Sequence, residues 1–463
     1  MNPDSKNPRR RRLGLITLGC PKNTVDSERL LGELEVLGWR FAETIDDADC
    51  LIVNTCGFIR DARLESEEAI EEMRQVKLAR PEVILVVTGC LPQRDEIDLR
   101  SRFPEADLIV GVGDLEKLPS LLESALRGEK PGGEAQEELC RPGRATLSGA
   151  DSPRLMLTPP WSAYMKIAEG CDHSCAFCTI PHIKGPYRSR PVPDLVEETR
   201  FHAANGVKEL IIISQDTTAY GSDIGTNLRT LLKEIDRIDG IVWIRLHYLY
   251  PSKVSQGLLD VIAESRRIIP YFDIPIQHVR PEILRAMDRL APETNALDLI
   301  ETIRARFRNS PTPACIRSTL IVGYPGETGE DIGAILDFLE RARIDRLTVF
   351  EFSPEEGTAA HELPDRVPEG VSERRLHLVM EAQHDISLEI NEEWVGRSID
   401  VLLEGETDDG CRAGRSYRDA PEIDGLVLVT GVPDSVEDGA IVRARVTGAL
   451  PYDLEAEWYG DEP

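Results

Sequence analysis

Short apolar runs alternate with amphipathic stretches in the first quarter of the chain. Three of the runs are rich in β-branched residues: Leu13–Leu18, Cys50–Asn54 and Val83–Thr88. Between them, Ser27–Leu37 and Ala62–Leu78 carry apolar residues at helical spacing among charged ones. Buried strands separated by amphipathic helices are typical of a parallel sheet covered by helices. We therefore predict an α/β domain over residues 13–127.

The central part of the chain repeats this alternation. It contains six strand candidates: Trp161–Ala168, Glu209–Ser214, Ile241–His247, Tyr271–Ile276, Ile316–Val322 and Arg346–Phe352. Helical stretches such as Leu195–Ala204 and Asp331–Arg343 separate most of them. Repeated βα units imply a parallel sheet with right-handed crossovers, and six strands are fewer than the eight of a closed barrel. The prediction for residues 158–390 is a partial (β/α)6 barrel.

Three further segments differ from this pattern. Residues 391–463 hold short β-type runs between Gly and Asp turns and predict a small β-barrel; the runs are Ser398–Leu403, Gly425–Val429 and Ala440–Val446. Residues 128–157 are rich in Gly, Pro, Glu and Ser without periodicity and are interpreted as a linker. Residues 1–12 form a polar, basic tail that we expect to be disordered. The predicted fold class is α/β multidomain.

Length and composition limit the class of protein. The chain has 463 residues, too many for one core, and its 41% apolar residues suffice for globular packing. No apolar run approaches the roughly 20 residues needed to span a bilayer, so we expect a cytoplasmic protein without a membrane partner. The 54 basic and 82 acidic residues give a net charge of −28. This charge argues against a broad nucleic-acid footprint and suits a basic partner, unless all proteins of the organism are acidic.

Three cysteines in the segment EGCDHSCAFCTIP are spaced C-x3-C-x2-C: Cys171, Cys175 and Cys178. Thiolates so close in sequence must converge on one centre. A structural zinc site needs four protein ligands, and His173 or His182 could be the fourth. A [4Fe–4S] cluster is also held by cysteine thiolates, and three of them leave one iron open to a substrate or cofactor. The spacing favours iron–sulfur over zinc, with unligated thiols as the third alternative.

A second set of cysteines follows the three strand candidates of the first domain: Cys20, Cys56 and Cys90. Ligands of open α/β sheets gather outside the carboxyl ends of the strands, so these thiols could meet at one point. The alternative is three separate buried thiols that pack as small apolar side chains. Their equivalent positions, each beside a glycine or proline, favour a second metal site. Cys50 lies within its strand and is interpreted as core, and Cys140 as an incidental thiol in the linker.

Polar residues crowd at the carboxyl ends of the central strand candidates. The clusters are Ser214–Thr218 with Tyr220 and Gly221, Arg245 with the HYLYP segment after it, Gln277 with His278, Gly323–Thr328, and Ser353–Thr358. Each cluster alone could be ordinary turn or helix-cap chemistry. Together they predict a ligand-binding rim, because the chemistry of such barrels lies at the carboxyl ends of the strands.

The segment Cys171–Cys178, with the aromatic Phe177 before its last cysteine, resembles the signature of radical S-adenosylmethionine (SAM) enzymes. The resemblance implies a [4Fe–4S] cluster on its three cysteines, with an open iron that chelates SAM. Reductive cleavage of SAM then gives methionine and a 5′-deoxyadenosyl radical that removes hydrogen from a substrate carbon, while the protein binds and orients the reactants. The six-stranded partial barrel of this family is similar to the one predicted here.

The first domain narrows the resemblance. Its segments GCPKNTVDSE, NTCGFIRDARLES and TGCLPQR are similar to the amino-terminal domain of the methylthiotransferases. That domain binds a second [4Fe–4S] cluster through three cysteines, which match Cys20, Cys56 and Cys90. One branch of the family modifies tRNA adenosine (the MiaB type), and another modifies an aspartate β-carbon in the twelfth protein of the small ribosomal subunit (the RimO type). GCPKN, in place of the GCQMN-like form of the tRNA enzymes, resembles the second branch.

Motifs of the central rim also resemble the ribosomal-protein branch: SQDTTAYG, RLHYLYP, YFDIPIQH, IVGYPGET and EEGT. The residues that the resemblance assigns to cofactor binding are Phe177, Ser214, Gln215, Arg245, Gln277, His278 and Gly323. It implies that Ser214 and Gln215 contact the amino-acid moiety of SAM. It also implies that Gln277, His278 and Gly323 lie near the ribose or adenine, and that Arg245 lines the pocket. No catalytic residue is identified.

The carboxyl-terminal segment resembles the TRAM domain, which binds RNA in tRNA-modifying relatives. Residues 391–463 contain 6 Arg, no Lys and 18 acidic residues. Phosphate contacts need basic side chains, so RNA binding is not expected, and a platform for a basic protein substrate fits better. The alternative is a structural barrel with an acidic, solvated face.

The resemblance thus implies a radical SAM methylthiotransferase of the ribosomal-protein branch, with two [4Fe–4S] clusters and SAM. The implied partners are the ribosomal protein, free or on the ribosome, an electron donor such as a flavodoxin or ferredoxin, and a sulfur donor. Two alternatives stay open. One is a tRNA adenosine methylthiotransferase, and the other is a non-catalytic metal-binding scaffold associated with the ribosome.

Overall fold

The computed structural model describes residues 11–129, 138–143, 147, 149, 152–289, 295–408 and 410–460, without the side chains of residues 96 and 97. Residues 1–10 of the expected disordered tail and part of the expected linker lie outside these ranges. The helices and strands form three units that follow one another along the chain.

The first unit is a five-stranded sheet with helices. All its paired strands are parallel, in the order β2-β1-β3-β4-β5. β3 and β4 are buried along their whole length, which explains their continuous apolar sequences. The predicted α/β fold is confirmed, with two short strands, β2 and β5, that the pattern had not revealed. The elements are β1 (Arg12–Thr17), α1 (Pro21–Val36), β2 (Arg40–Phe41), β3 (Cys50–Thr55), α2 (Arg60–Ala79), β4 (Ile84–Gly89), α3 (Cys90–Arg102), β5 (Leu108–Gly111) and α4 (Leu118–Ala125).

The central unit is the predicted partial barrel. Six parallel strands follow in the order β6-β9-β10-β11-β12-β13, so that β6 and β13 are its edges. The elements are β6 (Ser162–Lys166), β7 (Ala168–Glu169), α5 (Ile180–Lys184), β8 (Arg188–Ser189), α6 (Val192–Ala204), β9 (Glu209–Ile213), α7 (Leu228–Ile235), β10 (Trp243–Leu246), α8 (Gln256–Glu264), β11 (Ile268–Asp273), α9 (Pro281–Ala286), α10 (Ala296–Phe307), β12 (Cys315–Val322), α11 (Gly329–Ala342), β13 (Arg346–Glu351) and α12 (Glu369–Glu392).

The two faces of the central sheet differ in polarity. Side chains such as Leu210, Ile244 and Phe272 pack with the surrounding helices in one large apolar core. Alternate residues point to the other face, where Glu209 and Arg245 are buried although they are charged. Buried charges of this kind have to be paired, and their partners come from the third unit.

The third unit is a closed five-stranded barrel, as the short β-type runs predicted. Its strands are β14 (Ser398–Glu406), β15 (Arg412–Arg415), β16 (Val427–Thr430), β17 (Ile441–Ala449) and β18 (Leu454–Trp458), in the order β14-β15-β16-β18-β17 with β17 pairing back to β14. Its core is shared with the central sheet, because Trp243, Tyr271 and Cys315 belong to the same apolar cluster as Val401 and Leu403. The barrel therefore covers the start of β10, β11 and β12.

The described end of the expected linker is firmly packed. Arg154, whose side chain is 5% exposed, pairs with Glu28 of α1 at 2.5 Å and with Glu198 of α6 at 3.0 Å. Its Nη2 also donates to the carbonyl of Tyr164 in β6 at 2.6 Å. Arg154 thus contacts both the first and the central unit, so this part of the expected linker is packed against the two units it connects.

All ten cysteines are free thiols. Within the described ranges, no helix is both long enough and apolar enough to cross a membrane.

Candidate active site

Cys20, Cys56 and Cys90, called the auxiliary trio below, stand at the carboxyl ends of β1, β3 and β4. Cys20 caps α1, Cys56 directly follows β3, and Cys90 is the first residue of α3. Glycines let these three loops touch. A Cβ on Gly19 (φ +89°) would lie 2.8 Å from Cys56 Cβ, and one on Gly57 would lie 2.9 Å from the Cys90 carbonyl carbon. The auxiliary trio therefore shares one small region at the edge of the sheet.

Asn23, in the first turn of α1, fastens this region. Its Nδ2 donates to the carbonyls of Leu18 and Thr55, both at 3.0 Å. Its Oδ1 lies 3.7 Å from Cys90 Sγ. One side chain thus holds the loops after β1 and β3 and the start of α3 in a fixed arrangement.

Cys171, Cys175 and Cys178, called the SAM trio below, lie in the loop between β7 and α5. Backbone hydrogen bonds shape this loop, from Cys171 to the Gly185 carbonyl at 3.1 Å and from Cys178 to the Cys175 carbonyl at 3.0 Å. Arg289 Nη1 lies 3.5 Å from Cys175 Sγ. A guanidinium group at this distance would offset the negative charge of thiolates bound to a cluster.

Burial is the main cause of a raised pKa at four of the six thiols. It raises the pKa of Cys56 and of Cys171 to about 11. It raises the pKa of Cys90 and of Cys178 to about 12, and neighbouring thiols of the same trio add to both shifts. Because iron binds the thiolate, cluster assembly would release these protons.

His173 and His182 were the candidates for a fourth zinc ligand. His173 stacks on Tyr250 with ring centroids 3.9 Å apart, and its Nε2 lies 2.7 Å from Asp216 Oδ2. His182 is exposed on α5. Among the described residues, no three His, Cys, Asp or Glu side chains converge closely enough to hold one metal ion. A [4Fe–4S] cube takes each thiolate on a different iron, so it needs three sulfurs around a larger volume than a single ion would.

The five-residue helix α5 joins the two cysteine sites. It begins two residues after Cys178, and its Ile183 packs against Cys90 in a small apolar cluster. Gln93 of α3 donates a hydrogen bond from Nε2 to the Ile183 carbonyl. The two trios therefore lie at the same boundary between the first and central units, on either side of one short element.

Five buried charged side chains occupy this boundary: Lys22, Asp26, Lys166, Glu169 and Lys184. Lys166 Nζ donates to Asp26 and, at 2.6 Å, to Glu169. Lys184 Nζ lies 3.3 Å from Glu169 and 3.7 Å from Asp26. Lys22 is placed differently, with its ammonium group 3.3 Å above the centre of the Tyr248 ring. Burial lowers the pKa of Lys22, so its charged form is held in an unfavourable environment.

Two glutamines of the predicted rim have buried side-chain oxygens that accept no hydrogen bond within the described part of the chain. They are Oε1 of Gln215 and Oε1 of Gln277. Gln277 has a left-handed φ of +70° and donates from its backbone N–H to the Thr319 carbonyl at 2.8 Å. Ser214 is buried directly after β9, with Oγ 3.3 Å from Thr217 Oγ1. Buried acceptors without a hydrogen-bond donor are typical of a site for a polar ligand. The two glutamine oxygens therefore fit the polar groups of SAM.

His278 and Gly323 are both held by the buried carboxylate of Glu327. Glu327 Oε2 lies 3.3 Å from His278 Nε2, and Oε1 accepts from the Gly323 N–H at 2.8 Å. Arg375 donates to the same Oε1 at 2.5 Å. His278 Nδ1 also accepts from the Arg280 N–H at 3.0 Å, so both ring nitrogens have partners. These contacts join the loops after β11 and β12 into one wall of the rim.

Phe177 is half-buried and packs with Ile283, Met287 and Tyr324. It thereby attaches the loop of the SAM trio to the segments that follow β11 and β12.

Arg245 does not lie at the rim. It is fully buried; its Nε donates to Glu209 Oε1 at 2.7 Å, and its Nη1 and Nη2 donate to the carbonyls of Tyr417 and Ser416 at 3.0 and 3.4 Å. This placement differs from the expectation that Arg245 lines the SAM pocket. The reason is that the face of β10 to which Arg245 points is covered by the carboxyl-terminal barrel, which supplies the carbonyl acceptors.

Sequence reasoning had not singled out Lys22, Lys184 or Arg289. Lys22 and Lys184 did carry a signal, because each follows a predicted cysteine ligand by a few residues within an otherwise uncharged stretch. Arg289 carried none, since only the folded chain brings it to Cys175.

Family models match three parts of the chain. The Uncharacterized protein family UPF0004 matches residues 12–111, the Radical SAM superfamily matches residues 165–339, and the TRAM domain matches residues 395–458. Among solved structures, the radical S-adenosylmethionine methyltransferase TsrM from Kitasatospora setae, with cobalamin and a [4Fe–4S] cluster bound, has a TM-score of 0.56. It is 15% identical and covers 87% of this chain and 80% of its own, so this likeness shows the fold alone.

Relatives of known name resemble the chain over nearly its full length. The ribosomal protein uS12 methylthiotransferase RimO of Thermoanaerobacter sp. (strain X514) is 41% identical over 449 residues, which are 96% of this chain and 99% of that protein. The protein of the same name from Moorella thermoacetica is 43% identical, over 94% of this chain and 96% of its own. The chain belongs to the RimO family of ribosomal protein uS12 methylthiotransferases.

Proposed function

We propose that this chain is a radical SAM enzyme that transfers a methylthio group to the β-carbon of an aspartate in ribosomal protein uS12. The observation that carries the proposal is the pair of cysteine trios at one boundary, on either side of α5. Hydrogen removal and sulfur transfer have to act on the same carbon, so both sites need to face one cavity. Membership of the RimO family supports uS12 over tRNA as the substrate.

The chain offers a ligand set for each cofactor. The SAM trio and the auxiliary trio would each hold one [4Fe–4S] cluster. When bound, the clusters and SAM supply the 5′-deoxyadenosyl radical, the methyl group and the sulfur. The protein binds and orients these groups: Gln215 and Gln277 offer buried oxygens, and Arg289 offsets charge at Cys175.

The carboxyl-terminal barrel supports a protein substrate. Its segment holds 18 acidic residues against 6 Arg and no Lys. Acidic side chains such as Asp400, Glu406, Glu437 and Glu457 are exposed on it. A surface of this charge repels phosphate and attracts a basic ribosomal protein. We infer that the barrel is a docking surface for uS12 and that RNA binding is not part of its role.

The reaction also requires a reductant and a source of sulfur. A flavodoxin or ferredoxin is the class of electron donor that we propose, and a separate donor would reload the auxiliary site with sulfur. Because uS12 is made and assembled in the cytoplasm, we propose that the enzyme acts there, on free or ribosome-bound substrate.

Mass spectrometry of cells that lack this chain tests the proposal. We expect uS12 to lose its methylthio group while the tRNA nucleosides stay unchanged. Loss of methylthioadenosine from tRNA instead would establish the tRNA activity. Anaerobic protein should contain two [4Fe–4S] clusters and release 5′-deoxyadenosine when reduced with SAM. Zinc without iron, and no 5′-deoxyadenosine, would leave the metal-binding scaffold as the function.

The two trios predict different phenotypes for cysteine variants. Cys175→Ala should abolish SAM cleavage, because the site that binds SAM loses a ligand. Cys56→Ala should spare SAM cleavage and stop methylthiolation, because only the auxiliary site is damaged. Cys411→Ala, which changes a thiol outside both trios, is the control and should keep both activities. Methylthiolated uS12 from the Cys56→Ala protein would contradict the role of the auxiliary trio.

A further inference from the structure

One buried cation at the boundary of the two units has no carboxylate partner, and the thiolate of Cys20, two residues before it, would be an anion of its own chain that attracts it. Lys22 is 6% exposed, and its ammonium group lies against the ring of Tyr248, 3.3 Å from the centroid. In the ranges that the structure describes, no carboxylate comes within ion-pair distance of this ammonium group, and no acceptor takes a hydrogen bond from it. The neighbouring charges already pair with one another: Lys166 and Lys184 with Asp26 and Glu169. A desolvated ammonium group without an anion is unfavourable, so this position suits an anionic ligand.

The surroundings hold Lys22 in a fixed place. Tyr248, which supports its ammonium group, has a left-handed φ of +60°. The Tyr248 N–H donates to Asp273 Oδ2 at 3.0 Å, and Arg317 Nη1 donates to Asp273 Oδ1 at 3.0 Å. A non-glycine residue keeps this conformation only where its surroundings enforce it, and such positions cluster at binding sites. The cation is therefore preorganised at the carboxyl end of β10.

Two features place the ammonium group of Lys22 nearer the auxiliary trio than the SAM trio. Lys22 lies in the first turn of α1, two residues after Cys20. The SAM trio has a cation of its own, because Arg289 Nη1 is 3.5 Å from Cys175 Sγ. The carboxylate of SAM would bind at the SAM trio, so the anions that remain for Lys22 are the Cys20 thiolate and a bound substrate.

We propose that Lys22 binds the side-chain carboxylate of the target aspartate. This inference rests on the proposed function. In aspartate the carboxylate carbon is bonded directly to the β-carbon, so one ion pair fixes the reacting C–H beside the auxiliary trio. Lys22 is then a specificity-determining residue: an asparagine, or an uncharged base, would leave its ammonium group unpaired.

The test compares two forms of purified uS12, one with the target aspartate and one with asparagine. Their binding to full-length, anaerobically reconstituted enzyme is measured without SAM or reductant, so the readout does not depend on turnover. The enzymes are the wild type, the neutral variants Lys22→Met and Lys22→Gln, and Lys22→Arg. Lys233→Met, at an exposed lysine of α7, is the matched control. Iron content and thermal unfolding are recorded for each protein.

We expect the wild type and Lys233→Met to bind the aspartate form about 10- to 100-fold more tightly than the asparagine form, the range of a charge-assisted hydrogen bond. The neutral variants should lose this preference, and Lys22→Arg should keep it in part. A neutral variant with an unchanged preference, or a wild type without one, overturns the proposal. Neutral variants that fail to assemble the auxiliary cluster would assign the ammonium group to that cluster and overturn it too. Formation of methylthiolated uS12 by the wild-type enzyme, measured with SAM and reductant, tests the proposed function separately from the role of Lys22.

Discussion

Gly19 stands where a side chain would force the auxiliary trio apart. We predict that Gly19→Ala lowers the iron content of the protein and lowers its free energy of unfolding by about 3 kcal/mol. The backbone φ of +89° is unfavourable for alanine, and the added methyl group would collide with Cys56. Gly38→Ala is the matched control, since Gly38 has a φ of +90° and open space around it. It should cost only about 1 kcal/mol and keep its iron. Equal effects of the two changes would show that the contact with Cys56 does not matter.

Single residues differ in how far the sequence reveals their place. Cys20, Cys56 and Cys90 could be predicted to lie at one edge of the first unit because each follows a strand of one parallel sheet, and the topology of such sheets brings strand ends together. Arg245 could not be placed in this way. Its side chain points to the polar face of β10, but the barrel that covers that face belongs to a segment 170 residues further along the chain. The burial of Lys22 could not be predicted for a similar reason, because the residues around it come from two units.

At the scale of elements, the loop after β13 fastens the first unit to the central one. Glu355, 1% exposed, pairs with Arg94 at 2.9 Å and Arg63 at 3.2 Å and accepts from the Arg60 N–H at 2.7 Å. We predict that Glu355→Ala destabilises the protein by about 3 kcal/mol, because the buried guanidinium group of Arg94 loses its nearer carboxylate and keeps only the more distant Asp95. Hydrogen–deuterium exchange at the start of α2 should become faster.

The neighbouring Glu356 provides the control for this change. It is exposed, so Glu356→Ala should alter neither the free energy of unfolding nor exchange in α2 by a measurable amount. If Glu355→Ala also left exchange in α2 unchanged, the contact between the two units would not depend on this carboxylate.

Elements were predictable in proportion to their length. The buried strands β3 and β4 span six residues each and appear in the sequence as largely continuous apolar runs. β2 has two residues and α5 has five, so neither carries enough positions to show a period. The packing of the end of the linker could not be predicted, because this segment is irregular in conformation. The residue that attaches it to the first unit, Arg154, is charged and gives no apolar signal.

For the whole molecule, the carboxyl-terminal barrel is part of the core rather than an appendage. Glu209 of the central sheet lies between Arg245 of the same sheet and Arg415 of the barrel, with 2.7 Å to each. All three side chains are at most 1% exposed. Burial would raise the pKa of Glu209, but Arg415 and Arg245 outweigh it and lower the pKa to about 2. The carboxylate therefore holds two units together while it is ionised.

We predict that Glu209→Gln lowers the free energy of unfolding at pH 7 by about 3 to 5 kcal/mol, because the buried guanidinium group of Arg245 loses its carboxylate and that of Arg415 keeps only Glu404. The pKa of Glu209 is lowered in the folded state. The stabilisation of the folded protein by this carboxylate is therefore complete above the ordinary pKa near 4.5 and is lost as the pH falls toward about 2. Urea unfolding of both proteins should show the difference narrowing across that range. Glu457→Gln, at an exposed position of β18, is the control and should show no such difference. A gap between wild type and Glu209→Gln that did not depend on pH would contradict this assignment.

The three units and their fold classes could be read from hydrophobic periodicity, but their mutual contacts could not. Periodicity reports which side of an element is covered, not what covers it. The charged residues at the boundaries, such as Lys166, Glu209 and Arg415, look like solvated positions in the sequence. Only the folded chain shows that each faces an opposite charge from another unit.

The shortness of α5 sets a geometric tolerance for catalysis. Five helical residues advance about 7.5 Å, and each residue turns the chain by about 100°. One residue inserted before Ile183 would therefore turn its side chain by about 100° away from Cys90, and the packing contact between the two sites would be lost. An insertion in α5 should therefore be tolerated less well than one in a surface loop, because this short helix carries the contact that joins the loop of one trio to a cysteine of the other.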